Sequence, residues 1–282
     1  MSDWLTKSFQ EHSIFWILTS SILGGIVGAS LRFLFDVFLP QRLKDRQEII
    51  ATKRKYSTPI LLAADDLRKR CANLIQQIDL IEKEEWLSAR KLNSYYYLST
   101  LYTVAQFIGW RQVLRQTVVY LDFTTTKETR TYENLLAAIQ QCFTKPDLLH
   151  ITKSSDPANS NDKWIYTFWL QAIGDSMIIR ADNDYRVKDF ATFCNSLARP
   201  NQECFKEWID ALGGLFINLK SSDPRFRRIV ATHCILNAFV NHVDPQHLRT
   251  NKQEYYWKLL PKDEADRVRG QIRNISPRAS LR

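Results

Sequence analysis

Glycine is scarce in this chain, with eight residues in 282. The long stretch between Pro40 and Arg269 contains only four of them: Gly109, Gly174, Gly213 and Gly214. A phosphate-binding loop or a dinucleotide fingerprint requires several glycines at fixed spacing. The phosphate-binding loop also requires a Lys-Ser or Lys-Thr after its last glycine. Neither pattern occurs, so the sequence excludes both kinds of nucleotide site and predicts no cofactor.

The chain also lacks a cysteine motif. Its five cysteines are odd in number and widely spaced, without a CxxC pair: Cys71, Cys142, Cys194, Cys204 and Cys234. A zinc ribbon or a redox pair is therefore not indicated. Isolated cysteines on helices are typically buried, reduced thiols, which fits a reducing compartment for the main domain.

Net charge is missing from the middle of the chain. The formal charge of +9 is concentrated in residues 32–55, which carry +4, and in residues 246–282, which carry +5. Residues 56–245 sum to only +1. Nucleic-acid-binding proteins typically carry a basic stripe interleaved with aromatic residues on one element, and no such stripe is visible. The sequence therefore predicts no nucleic-acid partner.

One stretch has no charge at all, the nineteen residues Ser13 to Leu31. A helix rises about 1.5 Å per residue, so this stretch spans nearly all of the ~30 Å hydrocarbon core of a bilayer. Arg32 and Asp36, one helical turn apart, are expected to pair at the boundary. We predict a transmembrane helix over residues 13–39. The triplet Gly28-Ala29-Ser30 resembles a signal-peptide cleavage site, but the helix pattern continues beyond it, which favours an uncleaved anchor.

The charges flanking this helix predict its orientation. Lys7 is the only cation before it, whereas a basic stalk, residues 40–58, follows it. The positive-inside rule then places a short tail, residues 1–12, outside the membrane and the large carboxy-terminal part in the cytoplasm. We expect cations of the stalk and of a basic tail, residues 261–282, to contact the anionic inner leaflet. These residues are Arg42, Lys44, Arg46, Lys53, Arg54, Lys55, Arg267, Arg269 and Arg273.

Three small residues share one face of the predicted membrane helix. Ser20, Gly24 and Gly28 follow one another at intervals of four, which allows a second helix to approach closely. Small residues are common in membrane helices for other reasons as well. The pattern predicts a homo-oligomer, or pairing with a partner protein, through this helix.

The rest of the chain predicts an all-α body. Apolar residues recur every three or four positions from Leu61 to Ile81, and six further segments show helical character, which together predict a bundle of six or seven helices. The hydroxyl-hydroxyl-proline sequence ending at Pro59 predicts the start of the first helix. The body spans residues 59–260, in two halves at 59–143 and 164–250 joined by a polar loop at 144–163.

Two groups of polar residues are candidate sites. His242, Asp244 and His247 have the spacing of a possible metal site, although Asp244-Pro245 also has the sequence of an ordinary helix-ending turn. Asp66, Arg70 and Asn73 lie on one helix face, which predicts a partly buried ion pair with a hydrogen-bonding neighbour, structural in role.

Several short motifs together resemble an uncharacterised bacterial family of single-pass membrane-anchored proteins with an all-helical cytoplasmic domain. The resemblance runs from Tyr56 to about Arg249, and each motif alone is weak. This chain departs from it before Ala172, where Trp169, Leu170 and Gln171 replace polar residues. The motifs are Tyr56-Ser-Thr-Pro59, Ala63-Ala-Asp-Asp-Leu67, Arg70-x-x-Asn73, Ser99-Thr-Leu-Tyr102, Gln106-Phe-Ile-Gly-Trp110, Tyr120-Leu-Asp122, Ala172-Ile-Gly-Asp175 and Val243-Asp-Pro245. The resemblance implies a one-pass anchor and a helical domain, and no activity.

These features favour a membrane-tethered interaction or scaffold module, because no nucleophile–base pair, phosphate loop or metal quartet is recognisable. The alternative is a membrane-anchored enzyme or small-ligand sensor with a pocket between the two helical halves. Asp122, Asp175 or Arg111 converging on a pocket would favour that alternative.

Overall fold

The computed structural model describes residues 21–118, 127–145, 164–181, 184–199 and 203–276. The contacts divide the chain into two compact units, Met1–Arg54 and Lys55–Arg282. We call the first the anchor unit and the second the body. Every buried apolar residue that the structure describes lies in the body, between Tyr56 and Ile272. The body therefore carries its own hydrophobic core.

The anchor unit contains a long apolar helix. Residues 21–33 form α1, a π-helical turn follows at Leu34–Phe38, and α2 begins at Leu39. Ser21–Gln41 is the one helix in the described part that is long and apolar enough to cross a membrane, and none of it is buried. Arg32 pairs with Asp36 at 3.3 Å, which confirms the predicted contact.

Helix α2, Leu39–Gln76, differs from the prediction at Pro59. The expected helix start there is wrong, because α2 already includes the preceding residues and Pro59 lies inside it. An internal proline removes one backbone hydrogen bond. Side-chain contacts offset that loss, since Tyr56 and Ile60 are buried on either side of it and Lys55 pairs with Asp184. The body thus begins within this helix.

Helix α9, Pro224–Val243, is the most deeply buried element of the body. A helix that is buried on nearly all sides shows little amphipathic pattern, and every residue from Arg228 to Val240 is buried. Asp223 caps its first turn by accepting a hydrogen bond from the Arg225 amide at 2.8 Å. It packs against α5, Lys127–Thr144, where Tyr132 meets Phe239.

Helix α4, Tyr95–Val118, organises a second group of elements. It packs on α6, Thr167–Met177, at a point where a Cβ added to Gly109 would lie 2.9 Å from Met177 Cβ. Only a residue without a side chain permits so close an approach. Gly213 is required for the same reason, because an added Cβ would lie 1.9 Å from the hydroxyl of Tyr97.

The remaining elements are short. The only strands in the described ranges are β1 and β2, which pair antiparallel with Ile178 opposite Val187. The bounds of the other elements are Ile78–Lys83 for α3, Ile178–Ala181 for β1, Asp184–Val187 for β2, Phe190–Ala198 for α7, Glu203–Gly213 for α8 and Lys262–Ile275 for α10. The all-α prediction is confirmed. Helix α10 adds to the seven helical segments predicted, whereas α3 overlaps the end of the first of them.

Helix α10 overturns the prediction of a basic tail. Its Ala265, Val268 and Ile272 are buried against the core, at the three- and four-residue spacing of an amphipathic helix. Glu264 pairs with Arg227 of α9 at 2.6 Å. The segment is therefore part of the folded body up to Ile275, and its arginines lie on the outer face of a packed helix.

Candidate functional site

A cleft of about 650 Å³ opens on the body where two loops meet. One loop follows α3 and the other follows α8. They come from the two halves that the sequence predicted. The lining residues are Ile81, Glu82, Glu85, Leu87, Ser88, Ala89, Arg90, Asn218, Leu219 and Lys220. This volume lies within the range of pockets that bind small molecules or short peptide segments.

The cleft has a fixed apolar floor. Ile81, Leu87 and Leu219 are almost wholly buried beneath it. The two loops are joined by a hydrogen bond from the Asn218 amide to the Leu87 carbonyl, at 2.9 Å. Asn218 and Glu85 have φ angles of 50° and 52°, in the left-handed region that residues with side chains seldom adopt. At Glu85 this conformation ends α3, where the Trp86 amide donates to the Ile81 carbonyl at 3.2 Å, and asparagine adopts it more readily than most residues.

Polar groups of both signs surround this floor. The hydroxyl of Ser88 is buried and has no hydrogen-bond partner among the described residues. Glu82 accepts a hydrogen bond from the Ser221 amide, which lowers the pKa of its carboxyl. Glu85, Arg90 and Lys220 line the cleft with one negative and two positive charges. The arrangement provides complementary contacts for a polar ligand but no nucleophile paired with a base.

A second polar cluster lies inside the body, between α2 and α9. Arg68 is fully buried and donates hydrogen bonds to Asp65, to Asn237 Oδ1 at 2.8 Å and to the Asn251 carbonyl at 2.6 Å. Asp65 is also buried, and Lys69 contacts its other oxygen at 2.7 Å. A buried charge is tolerated only when it is paired and hydrogen-bonded. The arginine therefore links three separate segments of the body.

The cluster continues along α9. His233 Nε2 lies 3.0 Å from Gln253 Oε1, and Asn237 donates to the Gln253 carbonyl at the same distance. Burial lowers the pKa of His233 to about 4, so its imidazole is neutral near pH 7. Arg68 Nε and His233 Nδ1 have no partner among the residues described. Because both residues are fully buried, this cluster holds the fold together and does not face solvent.

The structure does not form the predicted pair of Asp66 with Arg70. Asp66 is exposed, and within the described ranges no ion pair joins the two residues. Arg70 turns to α4, where it donates to Ser99 Oγ at 2.8 Å and lies over the ring of Tyr96. Asn73 accepts a hydrogen bond from the Tyr96 hydroxyl at 2.8 Å. The buried ion pair is formed instead by Asp65 and Arg68, which lie on the neighbouring face of the same helix.

A sequence signal for that pair existed. Ala64, Arg68, Cys71 and Ile75 follow one another at three- and four-residue spacing, so Arg68 occupies a position on the apolar stripe of α2. A charged residue on such a stripe indicates a buried partner. The cleft had no comparable signal, because its residues come from loops more than 120 positions apart.

The three residues weighed as a possible metal site make other contacts in the body or end a helix. Asp244 uses its carboxylate to order the loop after α9, accepting from the amides of Leu248, Arg249 and Thr250 and from the Thr250 hydroxyl. His247 Nδ1 lies 3.3 Å from the same hydroxyl, and His242 lies in the last turn of α9. Across the described residues no group of three or more His, Cys, Asp or Glu side chains can hold a metal.

Asp175 and Arg111, which were named for an enzymatic pocket, do not line the cleft. Asp175 is exposed and accepts hydrogen bonds from Gln112 at 2.9 Å and Gln116 at 2.8 Å. Burial lowers the pKa of Arg111 to about 10, with Arg115 contributing. Asp122 lies outside the described residues.

Three of the five cysteines are buried and poorly placed for chemistry. Burial raises the pKa of Cys71 to about 12 and that of Cys142 to about 11, and it also raises the pKa of Cys234. A reactive cysteine requires an accessible thiolate. These three are therefore inert packing residues near pH 7.

The predicted membrane contacts have varied outcomes. Gly24 and Gly28 have open space around them, and Ser20 lies outside the described residues. Lys44 is exposed, whereas Lys55 pairs with Asp184 at 2.8 Å. In α10 the cations pair within the helix, Arg267 with Asp263 and Arg269 with Asp266, both at 3.5 Å, and Arg273 is exposed. The side chains of Arg42, Arg46, Lys53 and Arg54 lie outside the described part.

No family model, no curated protein and no solved structure matches this chain. The resemblance to a bacterial family of membrane-anchored proteins therefore stays a prediction.

Proposed function

We propose that the protein is a membrane-tethered helical module that binds a partner protein through the cleft between its two halves. One observation carries the membrane tether: an apolar helix with no buried residue precedes a body that has its own core. Eleven large apolar side chains, from Ile22 to Leu39, are exposed on that helix. Moving them from water into a lipid core is favourable by on the order of 20 kcal/mol in total.

The proposed topology follows from charge. Seven cations lie in residues 32–55 against a single one before the helix, which supports an outer amino terminus and a cytoplasmic body. The buried reduced cysteines of the body support the same side, because thiols persist in the reducing cytoplasm. Self-association through Gly24 and Gly28 belongs to this proposal, since their open face suits close helix packing.

Binding is favoured over catalysis by where the polar groups lie. The residues with the most unusual chemistry, Arg68 and His233, are buried and bonded within the fold. The accessible charged side chains line the cleft instead. A cleft lined by charged side chains of both signs can recognise a partner through complementary charges.

A small-ligand sensor is the second candidate, because the volume of the cleft suits a small molecule as well as a peptide segment. Both halves of the body line it, so a ligand that bound there would change how the two loops contact each other. This candidate differs from the first in what occupies the cleft.

Alkaline carbonate extraction of native membranes tests the tether. We expect the full chain to remain in the membrane pellet, with an intact mass that includes residues 1–31. Release into the supernatant contradicts a spanning helix. A mass that corresponds to a chain starting after Ser30 shows instead that the apolar segment is a cleaved signal sequence.

Site-specific photo-crosslinking in native membranes tests the cleft. A photoreactive residue at Ala89, which is exposed and lines the cleft, should give a discrete protein adduct. The matched control is Ala191, an exposed alanine of α7 that does not line the cleft. Equal adducts at both positions argue against the cleft as the binding surface. No adduct at either, with thermal stabilisation by a small molecule, favours the sensor.

A further inference from the structure

Lys188 lies between β2 and α7, with its backbone bonded on both sides. Its amide donates a hydrogen bond to the Met177 carbonyl at 2.9 Å, and its carbonyl accepts one from the Tyr102 hydroxyl at 3.2 Å. These bonds connect the residue to α6 and α4. Because the backbone is held by two helices, the side chain extends from a fixed point.

The amine of Lys188 has uncharged neighbours. The side chain is partly buried, and its Nζ donates a hydrogen bond to Ser196 Oγ at 3.0 Å. Ser196 is itself buried and gives its own proton to the Thr192 carbonyl at 2.8 Å. The Nζ also lies 5.1 Å from the centre of the Phe205 ring, on α8. The amine therefore contacts a neutral oxygen and an aromatic ring.

No carboxylate pairs with this amine in the ranges that the structure describes, whereas Lys55, Lys69 and Lys206 each contact one. The adjacent carboxylate, Asp189, accepts a hydrogen bond from the Thr192 amide at 2.7 Å and caps α7. A lysine that is partly removed from water and lacks a counter-ion is an unusual group on a protein surface.

A second cation acts on the same amine. Arg199 follows the end of α7, is exposed and has no ion pair among the described residues. Burial, and after it the repulsion from Arg199, lowers the pKa of Lys188. A larger fraction of this amine is therefore unprotonated at neutral pH than of an exposed lysine. Desolvation and a neighbouring cation are the two features that make a lysine nucleophilic.

We propose that Lys188 binds small oxo acids as a Schiff base, with Arg199 pairing with their carboxylate. The lone pair of Nζ attacks the carbonyl carbon and forms a C–N bond. The carbonyl oxygen then leaves as water with both hydrogens of the neutral amine, so no oxidant or reductant is required. A negative group is favoured because two cations attract it, and guanidinium matches the geometry of a carboxylate. The inference goes beyond the proposed function and requires neither the tether nor the cleft.

Reductive trapping on the detergent-solubilised full chain at pH 7 tests the site. Glyoxylate is the probe, and cyanoborohydride reduces the imine to a stable carboxymethyl amine that peptide mapping by mass spectrometry locates. Propanal is the matched neutral aldehyde. Lys252 is the internal control, because it is exposed and has no ion pair in the described part of the chain.

We expect initial labelling by glyoxylate to be at least about fivefold faster at Lys188 than at Lys252, with a smaller ratio for propanal. Arg199→Gln should slow glyoxylate labelling at Lys188 by about threefold or more, because it removes both the repulsion and the carboxylate contact. Arg273→Gln, an exposed arginine of α10, should leave it unchanged.

Labelling at Lys188 that is no faster than at Lys252 overturns the proposal, and this comparison needs no variant. An equal ratio for propanal and glyoxylate, or the same rate in Arg199→Gln, overturns the oxo-acid assignment. Membrane extraction and crosslinking at the cleft are separate measurements, so the proposed function stands or fails independently of these results.

Discussion

Replacing the buried arginine of α2 should destabilise the body far more than replacing its exposed charged neighbour Asp66. Arg68→Met removes three hydrogen bonds, to Asp65, Asn237 and the Asn251 carbonyl, and leaves a carboxylate inside the core. Breaking a buried ion pair by removing one partner typically costs about 3–5 kcal/mol. Lys69 still contacts that carboxylate from the surface, so we expect the lower end, about 3 kcal/mol.

The measurement is urea or thermal unfolding of the detergent-solubilised full chain, followed by near-ultraviolet circular dichroism. For a unit of this size, 1 kcal/mol shifts the melting temperature by about 2–4 °C, so Arg68→Met should melt about 6–12 °C lower. Asp65→Asn should cost a similar amount, and the double variant should cost less than the two singles combined by about 1–3 kcal/mol.

Asp66→Asn is the matched control, because the side chain is exposed on the adjacent position and forms no ion pair in the structure. Its effect should stay within about 0.5 kcal/mol, as is usual for surface replacements. If Asp65→Asn costs no more than Asp66→Asn, the buried network is not a stabilising unit and the assignment is wrong.

Three further outcomes are expected. Burial lowers the pKa of His233 from 6.5 to about 4, so the unfolded chain takes up a proton at a higher pH than the folded chain. The free energy of unfolding should therefore fall by up to about 3 kcal/mol as pH drops from 6.5 to 4. In urea melts the stability of His233→Gln should depend less on pH, and an identical pH dependence in both chains would contradict this. Gly109→Ala should cost about 1–3 kcal/mol through overpacking against α6, whereas Gly270→Ala, with nothing within 4 Å, should stabilise α10 by about 0.5–1 kcal/mol in the same melts. Gly24→Leu and Gly28→Leu should each weaken energy transfer between tagged copies in membranes, and unchanged transfer in both would exclude self-association through that face.

The helical parts of the chain were predictable because each depends on local spacing. Apolar periodicity predicted the helix over Leu61 to Ile81, which covers the part of α2 after Pro59. In the structure, Asp223 followed by Pro224 begins α9, because a cap followed by proline acts on its own turn. The same rule failed at Pro59, where side-chain contacts to the hairpin hold the preceding turn helical. A local signal identifies a helix start only when no tertiary contact extends the helix backwards.

Composition alone determined that one segment is apolar enough to cross a bilayer and that the rest is a folded helical body, because both follow from sums over many residues. Tertiary structure decided which polar residues matter. Asp66 and Arg70 had the better spacing, yet Asp65 and Arg68 face the core, because a rotation of 100° per residue moves a neighbour from water to the interior. The cleft arises from loops distant in sequence, and the hydrogen bond from Arg249 to Thr58 joins segments about 190 residues apart. Such juxtapositions are properties of packing between elements, which no spacing within one element encodes.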